Sequence, residues 1–360
     1  MRALQIHAGP RARQALAERG LSPGDVRAVP GAAGGPKGLV LNPLDQYLFG
    51  DWLPRGGHTV HLLGASIGAW RMASACLSDP AQGLKQMADD YIGQEYAPPE
   101  GGKLTASMIS EAFGAGLVTH FGGREAEILS HPRYRLHVFT SRGRHVLRRE
   151  GRAFSKITTP LGYLGAFATN AVSRRAMGAW LERVVFSDTR DEIPLRLHDY
   201  RTHAAHLTPE NLRLSVLASC SIPFWLDAVH NIPGGPRGAY WDGGITDYHL
   251  HLNYASMTDG LVLYPHFQQA IVPGWLDKAL KHRHRSSPFL SNVIVVSPSA
   301  EWIATLPKAK LPDRHDFKAY GHDVRARMKA WNVAVAESQR LRDEFAALVE
   351  SGRPIEALPL

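Results

Sequence analysis

The stretch 58-HTVHLLGASIGAWRMASACL-77 decides the fold. Residues 58–63 read as a strand, residues 67–77 read as a helix, and Gly64-Ala65-Ser66-Ile67-Gly68 joins the two. A serine between two such glycines, on a turn from strand to helix, is a GxSxG nucleophile elbow in its required setting. The glycines matter because the turn strains the serine backbone, and neighbouring side chains would collide with the crossing chain. The turn also sets the Ser66 oxygen beside a helix N-terminus, whose partial positive charge favours developing anions.

Upstream, residues 26–30 read as a strand and 39–49 as helix, so the chain opens βαβα. That order predicts a largely parallel sheet with helices on its faces, a three-layer α/β/α architecture. Further strands are expected at 135–141, 260–264 and 292–297. Residues 154–186, rich in Gly, Ala and aromatics, read as core helices or a cap over a site. Residues 322–351 space Val324, Met328, Trp331, Val335, Leu341, Phe345 and Leu348 as one long amphipathic helix, expected to pack on the sheet.

Between the first strand and helix lies Gly31-Ala32-Ala33-Gly34-Gly35-Pro36-Lys37-Gly38. It lacks the Gly-Lys-Ser/Thr of a P-loop and the GxGxxG of a dinucleotide turn. Consecutive amides of Gly34 and Gly35 can instead aim at one oxygen, which suits an oxyanion hole. Downstream, Trp241-Asp242-Gly243-Gly244 places a carboxylate at a strand end, beside two glycines that allow close backbone approach.

These blocks in this order, with Ala218-Ser219-Cys220-Ser221-Ile222-Pro223-Phe224 shortly before the Asp block, resemble the patatin-like phospholipase family. The resemblance spans Gly31 to Gly244. It implies a Ser-Asp dyad lipid acyl hydrolase with Ser66 as nucleophile, Asp242 as its partner, and Gly34, Gly35 and Lys37 in the oxyanion loop. The chain departs from the family pattern at Ala33, where a third glycine is common, at Pro36, which has no N–H to donate, and at Ser221, where a small apolar residue is usual. Such an enzyme needs neither metal nor organic cofactor.

Other chemistries are open to these residues. His249, His251 and His266 follow Asp242, so a Ser-Asp-His triad is available in chain order. His249-Leu250-His251 and His282-Arg283-His284 each put two imidazoles on one face of a strand, but no carboxylate or thiol cluster completes a metal site. A non-catalytic scaffold docking on membranes is the remaining alternative. Cys220 reads as a small buried residue.

Composition bounds the rest. With 360 residues, 44% hydrophobic and 21% charged, the chain is globular, and without a linker or repeat it reads as one domain over 1–360 with its core motifs in 26–250. Two cysteines, Cys76 and Cys220, exclude a disulfide framework and fit a reducing compartment. The N-terminus lacks a secretory h-region, and no run approaches about 18 apolar residues, so a cytoplasmic protein is expected. The net charge of +8 comes from bunched cations: Arg142, Arg144, Arg148, Arg149 and Arg152; Lys278, Lys281, Arg283 and Arg285; Lys308, Lys310, Arg314 and Lys318. They read as solvated faces, able to meet an anionic membrane surface, and no nucleic-acid-binding motif accompanies them.

Overall fold

A computed structural model describes residues 2–96, 102–150 and 155–360; Arg152 and the start of the 154–186 stretch lie outside them. The strands are β1 (Leu4–Ala8), β2 (Val26–Gly31), β3 (Val60–Ala65), β4 (Tyr134–Gly143), β5 (Leu181–Ser187), β6 (Thr202–His206), β7 (Val229–His230), β8 (Ala239–Trp241), β9 (Leu261–Pro265), β10 (Val293–Pro298) and β11 (Leu358–Pro359). They form one sheet in the order β11-β1-β10-β9-β2-β3-β4-β5-β6, with β8 on β4 and β7 on β8. The centre, β10-β9-β2-β3-β4, is parallel throughout. Antiparallel pairing of the strands enters at the flanks, through β1, β5, β7 and β8.

The central strands are buried on both faces, so Val60, Leu62, Leu63 and Ala65 of β3 all lie inside. All six residues of β3 and of β10 are buried. Alternation along them sends Val29, Leu62, Leu263 and Ile294 to one core and Ala28, Leu63, Val262 and Val293 to the other. The first core is roofed by the elbow helix Ile67–Ala75 and the helix Pro80–Gly93. The second is covered by short helical turns, Tyr254–Ser256 and Pro288–Leu290. The α/β/α expectation therefore holds, with one thin outer layer.

Some local expectations change. The 154–186 stretch is not all helical: helix Ser155–Val172 is followed by β5. Glu182 and Arg183 disguise that strand, because both charges are buried in ion pairs. The segment 322–351 is two helices, Val324–Glu337 and Gln339–Glu350. At the junction the buried Ser338 hydroxyl donates back to the Val335 carbonyl at 2.6 Å, a contact that bends helices. The second helix seats Phe345 on the rings of Tyr47 and Trp52, so it packs on the helical layer rather than mainly on the sheet. His249-Leu250-His251 lies in a loop, with Leu250 at φ 43°, and His282 and His284 lie in a short 3-10 turn, so neither pair sits on a strand face.

The bunched cations are only partly solvated. Arg142, Arg144 and Arg201 surround Glu182, Arg283 pairs with Asp277, and Lys310 pairs with Asp313 and Asp316. Among the described residues no helix is long and apolar enough to cross a membrane.

Candidate active site

Ser66 ends the crossover from β3 into the elbow helix with φ 56° and ψ −130°, a left-handed conformation costing a non-glycine residue about 1–3 kcal/mol. The neighbours leave it no alternative. A Cβ on Gly64 would lie 2.4 Å from the Ala69 Cα, and one on Gly68 would lie 1.8 Å from the Gly31 carbonyl oxygen. The elbow helix thus presses directly on the end of β2, and the glycine-rich loop leaves from that contact.

The Ala218–Phe224 block supplies the clamp. The Ser219 hydroxyl accepts from the Ser66 amide at 2.8 Å and donates to the Phe139 carbonyl of β4 at 2.6 Å. The Ser221 carbonyl accepts from the Asp242 amide at 2.8 Å, and the Ser219 carbonyl accepts from Gly243 at 3.0 Å. One helix end therefore sets both the elbow and the Asp segment. A Cβ on Gly243 would stand 2.0 Å from the Phe139 carbonyl oxygen, so only glycine permits this approach.

The two segments bring Ser66 Oγ to 2.7 Å from Asp242 Oδ2, with the hydroxyl donating. The other carboxylate oxygen accepts from the Gly244 amide at 2.7 Å. Ser66 and Asp242 are 3% and 6% exposed. Burial pushes the Asp242 carboxyl above its ordinary range, against the downward pull of Arg314, Ser66, Gly244 and Lys278. The result is a carboxylate more basic than a surface aspartate and held on a serine hydroxyl.

The glycine-rich loop closes one side. Gly34 precedes the 3-10 turn Gly35–Leu41, and Gly35 has φ 58°. Ahead of the turn's first internal hydrogen bond, the Gly34 and Gly35 amides have no protein acceptor among the described residues. The Ala33 amide is spent on the Tyr248 carbonyl at 2.9 Å, so the alanine that replaces a third glycine removes no free donor. Phe267 fills the space a Gly34 side chain would need, and the Lys37 ammonium stands 5.5 Å from the centre of that ring.

The candidate histidines are engaged elsewhere. His249 Nδ1 accepts from the Val272 amide at 3.0 Å, His266 Nδ1 accepts from the Gln268 amide at 3.0 Å, and His251 Nε2 meets the Ser287 hydroxyl at 3.2 Å. The Asp242 side chain is occupied by Ser66 and Gly244, and among the described residues no imidazole hydrogen-bonds to either member of the pair. Burial holds His266 down to about 3 and His249 well below its ordinary value. Cys220 is buried with its thiol pushed far up, as inert sulfur is. No group of three or more metal-ligating side chains occurs among the described residues.

Sequence reasoning named Ser66, Asp242, Gly34, Gly35 and Lys37 but gave Ser219, Tyr91, Lys278 and Arg314 no role. A Cβ on Gly35 would lie 3.1 Å from Arg314 Nε and 3.5 Å from the Tyr91 hydroxyl. The Lys278 ammonium lies 3.9 Å from the centre of the Tyr248 ring, whose edge lies 3.3 Å from a Cβ built on Gly244. The available signal for Lys278 and Arg314 was their place in the bunched cations; for Ser219 it was the Ala-Ser-x-Ser block itself. Compared with protein-family models and with curated proteins, the chain finds no match.

Proposed function

We propose that this protein is a serine-dependent acyl ester hydrolase, a patatin-like lipid acyl hydrolase that uses Ser66 and Asp242 as a dyad. The 2.7 Å hydrogen bond from Ser66 Oγ to Asp242 Oδ2 carries the reading. Asp242 takes the hydroxyl proton as Ser66 Oγ attacks the ester carbonyl, and the carbonyl oxygen becomes an oxyanion facing the Gly34 and Gly35 amides. Collapse of this intermediate breaks the bond to the alcohol, which leaves with the proton from Asp242. The same carboxylate then deprotonates water, the hydroxide attacks the acyl-serine, and release of the acid returns the proton to Ser66.

A fluorophosphonate probe should label Ser66 in the wild type and nothing in Ser66→Ala, with p-nitrophenyl acyl esters cleaved only by the former. An unlabelled wild type that cleaves no ester would leave the scaffold alternative in place.

Lipid as substrate is supported by the helix Ser155–Val172. Over its described side chains, residues 157–172, the exposed positions are Ile157, Pro160, Leu161, Leu164, Ala168, Ala171 and Val172, with no polar residue among them. Leu161 and Leu164 are 58% and 62% exposed. On the buried side of the same helix, Tyr163 packs on Trp241, next to Asp242, and on the half-exposed Phe224. An apolar surface adjoining a serine site suits a lipid interface.

Replacing Leu161 and Leu164 together by Gln removes insertable surface worth about 1.5–3 kcal/mol per side chain. Hydrolysis of an ester embedded in anionic vesicles should fall about tenfold or more, while that of dissolved p-nitrophenyl acetate stays within about twofold. Equal losses on both substrates would remove the interfacial part of the proposal.

A further inference from the structure

The β6 end of the sheet carries a second concave site, built on one face of β4, β5 and β6. Arg142 of β4 stands directly opposite Glu182 of β5 in the antiparallel ladder and takes one oxygen of its carboxylate. Arg201, just ahead of β6, reaches the other oxygen through Nε at 2.7 Å, and His203 of β6 meets that same oxygen at 3.0 Å. Ser141, next to Arg142, points to the opposite face and donates to the Asp242 carbonyl at 2.8 Å, so the strand lies between this site and the dyad. Past the end of β4 the chain doubles back. A Cβ on Gly143 would lie 1.9 Å from the Leu147 carbonyl oxygen, so the turn His145–Arg148 folds tightly over the strand end. His145 takes the strain, with φ 48°, Leu147 is buried as the anchor, and Arg148 is left exposed. The result is a hollow of about 380 Å³ lined by Arg142, Arg144, Arg148, Arg201, His203 and Glu182.

Four guanidiniums and an imidazole here meet one buried carboxylate whose two oxygens are already taken. Guarding a sheet edge against strand pairing needs only scattered exposed charge. These charges converge, and two of them are fixed in place. Arg142 donates through Nε and Nη2 to the Arg237 carbonyl at 3.1 and 2.6 Å, and Arg144 donates through Nη1 to the Gly178 carbonyl at 2.8 Å. Loss of water pushes the Arg142 guanidinium below its ordinary value despite Tyr240, and crowding by Arg148, Arg144 and Arg201 pushes the same way. Such an array gains most from an anion that several guanidiniums can grip at once. A phosphomonoester, with three terminal oxygens and up to two charges, serves better than a carboxylate.

The surroundings indicate how the phosphate arrives. A Cβ on Gly162 would lie 2.9 Å from Val146 Cγ2 and 2.7 Å from Leu147 Cδ2, so the turn that carries Arg148 packs against the helix Ser155–Val172. Val146 is 42% exposed, beside the helix that presents Leu161 and Leu164 to solvent. An apolar strip therefore borders the basic hollow, as a lipid with its headgroup and chains held side by side requires. We propose that this hollow is a receptor for the phosphomonoester headgroup of a membrane lipid, separate from the dyad and independent of whether Ser66 is a nucleophile.

The test mixes wild-type protein with vesicles of ether-linked lipids, which hold no ester to cleave. One set is phosphatidylcholine with phosphatidic acid; the other is phosphatidylcholine with enough phosphatidylglycerol to match its surface charge. A diffuse basic face responds only to surface potential, whereas the hollow should bind the phosphatidic acid vesicles about tenfold tighter or more in cosedimentation. Arg148→Gln and Arg201→Gln should each cut that preference about fivefold or more. Both arginines are exposed, so these variants test charge rather than folding. Arg11→Gln, which removes the same charge from the exposed side of the helix Pro10–Arg19, should leave the preference intact. Equal binding to the two sets, binding to neither, or a preference that survives both Arg148→Gln and Arg201→Gln overturns the receptor. Glycerol 3-phosphate bound as tightly as the lipid assigns the hollow to a soluble phosphomonoester and overturns the lipid. Failure of the hydrolase reading looks different, an unlabelled Ser66 and intact p-nitrophenyl esters, and leaves these binding results unchanged.

Discussion

Ser66→Ala and Asp242→Asn should each lower kcat/KM on a p-nitrophenyl ester by on the order of 10,000-fold, and the double variant should be scarcely worse than either. The non-additivity follows from the single bond that joins them, Ser66 Oγ to Asp242 Oδ2 at 2.7 Å. A serine without a base and a base without a serine lose the same step. Folding is kept in Asp242→Asn, because the amide oxygen still accepts from Gly244 and a buried charge is removed. Since burial raises the Asp242 pKa, this carboxyl holds its proton in the fold longer than in the unfolded chain. Its contribution to stability is therefore lost as pH rises from the ordinary carboxylate range through its raised value, and the Asn variant should melt no lower than wild type at neutral pH.

The pH profile separates dyad from triad. Asp242 must be ionised to act as base, so kcat/KM falls as pH drops through the raised carboxyl pKa. Arg314→Gln should move that acid limb to higher pH, because the cation now favours the carboxylate. His249→Gln, His251→Gln and His266→Gln should each retain activity per fluorophosphonate-titrated serine, a normalisation that discounts misfolded protein. A triad instead makes one of these variants as inactive as Ser66→Ala.

The centre of the sheet and the elbow at Ser66 were legible because their signals are local, whereas the pairing of Ser66 with Asp242 was implied only by the family resemblance. Gly64 to Gly68 carries its own turn, and a run such as β3 is apolar because it is buried on both faces. What escaped depends on residues far apart in the chain. β5 reads as a poor strand until Glu182 meets Arg142 and Arg183 meets Asp247, tens of residues away. β1 is only five residues, alternating Leu4, Ile6 and Ala8 with polar partners, too short for periodicity to separate it from a loop. It makes a third strand ahead of Ser66, where the sequence suggested two. Arg314 stands beside Gly35 although nearly 280 positions separate them, and no spacing rule spans that distance. The break at Ser338 escaped for a different reason. Trp331, Ala334, Ser338, Leu341 and Phe345 keep helical spacing across it, so the buried face continues while the backbone bends.

Arg183→Met should destabilise the fold by about 3–5 kcal/mol at neutral pH, read as a lower urea midpoint with little change in slope. Arg183 is fully buried on β5 and grips Asp247 through Nε at 2.8 Å and Nη2 at 2.5 Å, while Nη1 reaches Asp199 at 2.9 Å and Thr202 at 3.1 Å. Methionine fills similar space but leaves Asp247 with Arg174 and Thr246, and strands much of the Asp199 charge. Arg183→Lys should recover only part of the loss, because a single ammonium cannot span both carboxylates as the guanidinium fork does. Despite its own burial, Asp199 is held below the usual carboxylate range chiefly by Arg183, so its stabilising contribution is present above that range and lost as pH falls through the depressed value. The gap between wild type and Arg183→Met should therefore narrow in acid. The same variant should slow fluorophosphonate labelling of Ser66 in molecules that remain folded. Asp247 donates its amide to Gly243 at 2.9 Å and ends the short helix that follows Asp242, so slackening Asp247 shifts the carboxylate facing the serine. A midpoint unchanged within error, or labelling as fast as wild type, would separate this ion network from both fold and site.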